Sequence, residues 1–319
     1  MELIFFGTPP FAVPTLDALH AAGHSIKAVI TRPDKRRGRS GKPAPTAVKE
    51  AALGLGLDVR QPPSVNAPEA VTELEARQAE LAVVVAYGEI LRPDALASTK
   101  RGFINLHASL LPRYRGAAPI NWAIINGEET TGVSVIRMAP RMDAGPILDQ
   151  REVTIGEYET AGELADRLAE VGAEAVADVV GRLDAGEDIP GQPQPGEPAP
   201  LAPKLSKKEG RVDWSLPADR IRNLVRGLTP WPGAYCDLRT QDRTQRLTLV
   251  EVRTGPDATE EIDRWDPGTV VRVDDGEGIA VRAGQGTVII GRLKPAGSRA
   301  MDAGDFIHGH DIRPGDRFC

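Results

Sequence analysis

The chain has 319 residues, of which 41% are apolar and 26% charged, with a formal net charge of −6. That length leaves room for one large α/β domain plus a smaller one, each with its own core. Net negative charge argues against nucleic-acid binding over the whole surface. Two cysteines without CxxC or Cys/His spacing argue against a disulfide framework or a zinc site, and a reducing compartment is expected.

The N-terminus, MELIFFGTPPF, has no basic leader and no long apolar run, so it reads as a first strand rather than a signal or transit peptide. On that reading a bacterial cytoplasm is expected. No stretch approaches membrane-spanning length. Residues 3–6 form the apolar run, and Gly7-Thr8-Pro9-Pro10 turns it into a helix with Leu16 and Leu19 on one face. The turn resembles a phosphate loop but lacks GxGxxG and GxxxxGK[ST]. His20 and His24 fall at the helix end, where a cation favours the dipole. After a second strand at 27–30, residues 31–50 carry seven Lys or Arg against two acids. Such a loop can hold a polyanion even on an acidic protein.

Residues 81–86 (LAVVVA) form the clearest strand, a β-branched run that must be buried on both faces of a sheet. Two more strands are predicted at 103–106 and 133–138. Strands alternating with helices imply a Rossmann-like, mostly parallel sheet with helices on both faces. A long helix is expected over 160–184. It opens on a Thr160/Glu163 capping box, repeats Leu164, Leu168, Val171, Ala175, Val179 and Leu183 at helical spacing, and stops at Gly186. The stretch 151–203 holds twelve acids and three Arg, and it ends in a Pro-, Gly- and Gln-rich segment with the composition of a tether. A helix at 217–228 then precedes short strands at 234–238, 247–252, 269–273, 278–282 and 287–293. These predict a small antiparallel, OB-like β-barrel. The expected organisation is a catalytic domain at 1–187, a linker at 188–204 and a barrel domain at 205–319.

The densest polar signal is FINLHASLLPRYRGAAP at 103–119, with MDAG at 142–145. Asn105 and His107 are two apart, so an extended strand puts them on one face near its carboxyl end. Open α/β sheets bind ligands at that edge. Asp143 follows another strand and can reach the same edge. An amide and a protonated imidazole can stabilise the oxyanion formed when an amine attacks a formyl carbon, and a carboxylate can take the proton released. By spacing alone the three residues are about as readily structural polar groups as a catalytic set.

The strings VVVAYGEIL at 83–91, FINLHASLLPRYRGAAPI at 103–120, ETTGVSVIRM at 129–138 and MDAGPIL at 142–148 resemble the folate-dependent formyltransferase family. So do KLSKKEGRVDWS at 204–215, TPWPGAY at 229–235 and LKPAG at 293–297, so the similarity spans nearly the whole chain in order. The resemblance implies Asn105, His107 and Asp143 as the catalytic set and 10-formyltetrahydrofolate as the formyl donor, with no metal. It implies folate contacts from Ser109, Leu110, Leu111 and Pro112, and a pterin pocket lined by Ala86, Tyr87, Ile90 and the 139–143 loop. Ala139-Pro140-Arg141 departs from the family, whose members often carry an uncharged pair there.

The basic run from Arg32 to Lys42 resembles an insertion of the tRNA-directed members. It makes Arg36, Arg37, Arg39 and Lys42 candidates for contacting initiator methionyl-tRNA, with the barrel as a second tRNA-binding unit. No protein partner is implied. An amino sugar, glycinamide ribonucleotide or water as acceptor, or an RNA-binding protein without catalysis, are the competing readings. His308 and His310 lack companion ligands and read as exposed tail groups, while Trp214 and Trp231 read as packing residues.

Overall fold

The computed structural model describes residues 1–36, 43–195, 199–241, 243–255 and 262–319. Two compact units emerge. The first comprises Met1–Pro119, Thr130–Thr154 and Ala165–Ala202, and the second Ile120–Glu129, Ile155–Leu164 and Pro203–Cys319.

The first unit is built on a seven-stranded sheet. Its strands are β1 (Glu2–Gly7), β2 (Ser25–Ile30), β3 (Val59–Arg60), β4 (Leu81–Val85), β5 (Phe103–His107), β6 (Thr130–Arg137) and β7 (Ile147–Thr154). In space they run β7-β6-β5-β4-β1-β2-β3. From β5 to β3 all neighbours are parallel, whereas β6 runs antiparallel to β5 and β7 antiparallel to β6. The chain first builds outward from β1 through β2 to β3, then returns to β1's other side with β4. The carboxyl ends of β1 and β4 therefore flank the switch point at which such sheets open a crevice.

Helices α1 (Val13–Ala21), α2 (Ala47–Gly54), α3 (Pro68–Ala76) and α4 (Pro93–Leu96) lie between the parallel strands in sequence. Val71 and Leu74 of α3 and Ala95 of α4 pack with Ile4, Phe6, Ala82 and Val84 on one sheet face. The opposite face, at Leu106, lies against Gly172 of a long helix, Ala161–Asp184, numbered α6 below. Helices thus cover both faces, as the continuous apolar strands require. The long helix starts on the predicted capping box: Thr160 N–H donates to the Glu163 carboxylate at 2.9 Å, and Glu163 N–H to Thr160 Oγ1 at 3.3 Å. Gly186, at φ +84°, ends it.

The second unit contains α5 (Pro119–Ile125, all but its first residue), the first turn of α6, α7 (Ala218–Gly227) and α8 (Ala303–His308). Its sheet is formed by β8 (Ala234–Arg239), β9 (Thr244–Thr254), β10 (Val270–Asp274), β11 (Gly278–Arg282), β12 (Thr287–Pro295) and β13 (Arg317–Phe318), in the order β10-β11-β12-β9-β8-β13. A bridge between Thr269 and Arg317 brings the two edges together, giving a nearly closed antiparallel barrel. Trp214 is buried against Phe318 with ring centroids 5.5 Å apart, a packing role as expected.

Trp231, between Pro230 and Pro232, is 56% exposed and so is not a core residue. His310 is likewise no free tail group. It stacks on Phe306 at 3.9 Å, and its Nδ1 donates to the Phe306 carbonyl, as the chain turns back just past the end of α8. Among the described residues no helix is long and apolar enough to cross a membrane.

Cys236 is buried in the barrel, and burial pushes its thiol well up from the ordinary value, while Cys319 is partly exposed. Since the thiolate is the reacting form, a thiol reagent should label Cys319 alone in the native chain and both cysteines in denaturant. Rapid native labelling at Cys236, read by peptide mass mapping, would contradict this burial.

Candidate active site

Strand register sets the site. Asn105 is the one partly exposed residue of β5, paired with Val84 on one side and Ile136 on the other. All three line a cavity of about 410 Å³ at the carboxyl edge of the sheet. A cavity of that size suits a small organic ligand, for which sites run to roughly 300–1,000 Å³. Its walls are largely apolar, from Ile90, Leu91, Ile136, Met138 and Met142, with Asn105, Glu89 and Asp143 as the polar residues. Ala86, Tyr87 and Ile90 are among its lining residues, and so are Ala139, Pro140, Met142 and Asp143.

Asp143 lies in the loop between β6 and β7 with φ of +50°. Among the described residues the other non-glycine ones with positive φ are Gln78, Ala86 and Tyr114, so three of these four belong to the loops around the cavity and His107. Each such residue costs roughly 1–3 kcal/mol and persists only when its surroundings enforce it. For Asp143 the enforcement is visible. Gly116 N–H donates to Asp143 Oδ2 at 3.0 Å, and the Gln194 carboxamide donates to the carbonyls of Asp143 and Gly145 at 2.8 Å each. Gly116, at φ +127°, is packed so close to Ala202 that a Cβ there would collide with the Ala202 carbonyl oxygen.

His107 ends β5, 6% exposed, with its ring beside Asp143: Nδ1 is 3.7 Å from Asp143 Oδ1. Its Nε2 donates to the Tyr114 carbonyl at 2.9 Å, which fixes the proton there in the neutral ring. A second proton on the ring would sit on Nδ1, facing the carboxylate. His107 is not among the residues lining the cavity, whereas Asn105 and Asp143 are.

Ser109, Leu110, Leu111 and Pro112 do not line the cavity either. Ser109 is fully buried, its hydroxyl donating to the Arg113 carbonyl at 2.7 Å and its carbonyl accepting from Ser134 Oγ at 2.6 Å. Leu111 N–H donates to Ser134 Oγ, and Gln150 Nε2 donates to the Leu111 carbonyl. These hydrogen bonds brace the segment that returns Tyr114 to His107. Arg36 lies in a two-residue strand, Lys35–Arg36, paired with Pro43–Ala44. Arg37, Arg39 and Lys42 fall outside the described residues.

Sequence reading missed Glu89, which shapes the cavity loop. Its carboxylate accepts from Arg32, from Ser64 Oγ at 2.6 Å, from Val65 N–H at 3.4 Å and from Asn66 Nδ2 at 3.1 Å. Asn66 also donates to the Ile90 carbonyl and accepts from Arg92 N–H. The available signal was an acid in the otherwise apolar run AYGEIL, since a half-buried carboxylate needs donors.

Two models of known families match the chain: "Formyl transferase" over residues 1–180 and "Formyl transferase, C-terminal domain" over residues 204–311. The chain belongs to the formyl transferase family. It is 43% identical to the methionyl-tRNA formyltransferase of Heliobacterium modesticaldum, covering 100% of both chains, and 46% identical to that of Moorella thermoacetica, covering 99% of this chain and 98% of the relative. Among solved structures, its fold resembles an N-formyltransferase from Helicobacter canadensis in complex with folinic acid and dTDP-3-aminofucose. The TM-score is 0.65 at 16% identity, covering 91% of this chain and 98% of that one. HypX from Aquifex aeolicus in complex with tetrahydrofolic acid gives 0.63 at 17% identity; this chain covers 46% of that longer protein.

Burial pushes the Glu89 carboxyl up, but its hydrogen bonds from Ser64 and Val65, the Arg32 charge and Asn66 outweigh that, leaving it below the ordinary 4.5. A depressed carboxyl stabilises the fold above its unfolded value and loses that contribution as pH falls through the folded one. The stability gap between the wild type and Glu89→Gln, measured by denaturant melts, should be constant well above the ordinary 4.5 and shrink progressively as pH falls below it. A gap that persists unchanged in stronger acid would contradict the lowered value.

Proposed function

We infer that this protein transfers the formyl group of 10-formyltetrahydrofolate to the α-amino group of methionine on initiator tRNA. The observation that carries the reading is the pair Asn105 and Asp143 on the wall of one apolar cavity, with His107 behind Asp143. Relatives bearing the methionyl-tRNA formyltransferase name match it end to end at 41–46% identity. The cavity's apolar walls suit a flat heterocycle, and the 86–91 loop and residues 139–143 would hold the folate. The turn Ser109–Leu110–Leu111–Pro112 would serve it indirectly, by fixing the segment behind the site.

Attack of the free amine on the formyl carbon forms the new C–N bond and puts negative charge on the formyl oxygen. Asn105, facing the cavity, donates its carboxamide N–H to that oxygen; one such donor is typically worth about 3–4 kcal/mol. The attacking nitrogen must shed a proton, and the folate nitrogen must gain one as its bond to the formyl carbon breaks. Asp143 is the group that reaches the cavity to accept and return this proton. His107, tied through Nε2 to Tyr114, holds its other ring nitrogen toward Asp143, so that a proton taken up there would face the carboxylate. No side-chain nucleophile is required.

Arg36, Arg37, Arg39 and Lys42 are proposed to contact the phosphates of the acceptor stem, and the barrel unit to supply further RNA contacts. The catalytic, linker and barrel divisions at 1–187, 188–204 and 205–319 are the proposed functional domains. A bacterial cytoplasm, where charged initiator tRNA and reduced folates meet, is the proposed setting.

Purified protein should formylate charged initiator tRNA, but not amino sugars or glycinamide ribonucleotide. Formylation of a small amine in preference to the tRNA would overturn the reading. Asn105→Ala and Asp143→Ala should each lower kcat by roughly a hundredfold or more while the thermal midpoint stays close to the wild type. Parallel loss of activity and stability would make these residues structural. Neutralising Arg36, Arg37 and Arg39 together should raise KM for tRNA and flatten its salt dependence, with folate affinity kept. An unchanged salt slope would remove this loop from the RNA interface.

A further inference from the structure

The segment with the composition of a tether touches the candidate site directly. Gln192 exchanges backbone hydrogen bonds with Ile147, at 2.8 Å and 2.7 Å, beside the loop that carries Asp143. Tyr114 N–H donates to the Pro200 carbonyl at 2.6 Å, and Ala117 N–H to the Ala202 carbonyl at 2.7 Å. Leu201–Ala202 pairs in parallel with Arg115–Gly116. The same stretch of chain is thus laced both to the loop holding Asp143 and to the segment holding His107 through Tyr114.

Gln194 joins the two. Its Nε2 is bonded to the carbonyls of Asp143 and Gly145, and its Oε1 accepts from the Arg115 guanidinium through Nη2 and, at 3.0 Å, through Nε. Arg115 adjoins Gly116, whose N–H holds the Asp143 carboxylate. The contacts close a circuit: Gln194 to the Asp143 backbone, the Asp143 carboxylate to Gly116, and Arg115 back to Gln194. The carboxamide uses both kinds of hydrogen-bonding capacity at once, as donor to the strained loop and acceptor from the neighbouring segment.

We propose that Gln194 is a positioning residue of the formyl-transfer reaction, holding Asp143 in its left-handed backbone conformation so that the carboxylate faces both the cavity and His107. It touches no reacting atom and acts through Asp143. The proposal rests on the formyl-transfer reading and adds to it a requirement for a residue outside the motif-bearing segments. Misplacing a reacting group by about an ångström costs up to roughly a hundredfold in rate, and a loop freed of two of its backbone anchors falls within that range.

The test is steady-state formylation by the full chain carrying Gln194→Ala or the near-isosteric Gln194→Met, alone and in an Asp143→Asn background. Either substitution should lower kcat about tenfold or more, with KM for folate and tRNA within about twofold of wild type. In the Asp143→Asn background the same substitution should have less than about a twofold effect, because the group it positions is no longer an effective base. Gln194→Glu keeps the acceptor for Arg115 but has no N–H for the two carbonyls, and it should not restore activity.

Unchanged kcat, an equal loss in both backgrounds, rescue by Gln194→Glu, or loss of the cooperative thermal transition in both the Ala and Met variants would each overturn the positioning role. An inactive wild type would instead sink the formyl-transfer reading itself.

Discussion

The site depends on one backbone torsion. Asp143 occupies the left-handed region that L-residues avoid, and without that turn the loop between β6 and β7 would not present its carboxylate to the cavity and to His107 together. Asp tolerates this conformation better than most residues, yet tolerance does not hold it there. What holds it is a set of directed hydrogen bonds from Gly116 and Gln194, each anchored in turn to other chain segments. The carboxylate's position is therefore a property of three stretches far apart in sequence.

This explains why some of the site was legible in the sequence and some was not. The sheet could be read because its strands are continuous β-branched runs, and burial on both faces leaves such runs few alternatives. Asn105 could be placed because a strand's period of two is rigid: its partners Val84 and Ile136 follow once β4, β5 and β6 are neighbours. The barrel's strands were legible from turn spacing, while its near-closure at Thr269 and Arg317 depends on pairing between residues 48 positions apart that no local pattern encodes. Gln194 left no signal at all. In a run of Pro, Gly, Gln and Glu its side chain looks like any solvated group, and only the fold reveals that both ends of its carboxamide are used.

The Ser109–Pro112 turn is the opposite case. A specific string marked it, and the resemblance attached the folate to it; in the structure the Ser109 hydroxyl and carbonyl and the Leu111 N–H and carbonyl are bonded to Arg113, Ser134 and Gln150. A motif can be distinctive because the backbone it encodes is demanding. Here the demand is to lead the chain from His107 back to Tyr114, whose carbonyl fixes the imidazole tautomer. The string therefore encodes at least a backbone path, whatever else it contacts.

The same logic extends to the cavity's other wall. Glu89 carries a half-buried charge whose donors come from Arg32, Ser64, Val65 and Asn66, so the loop that would face the folate is fastened to the segment after β2. Arg32 is also the first cation of the basic stretch, so it belongs to both loops. A partly buried carboxylate deprived of its guanidinium partner would be left with an uncompensated charge. Any displacement of Arg32 must therefore be answered at Glu89, and through Glu89 at the cavity wall. Arg32, just past the end of β2, and the loop shaping the apolar cavity are thus joined through an ion pair as well as through the sheet beneath them.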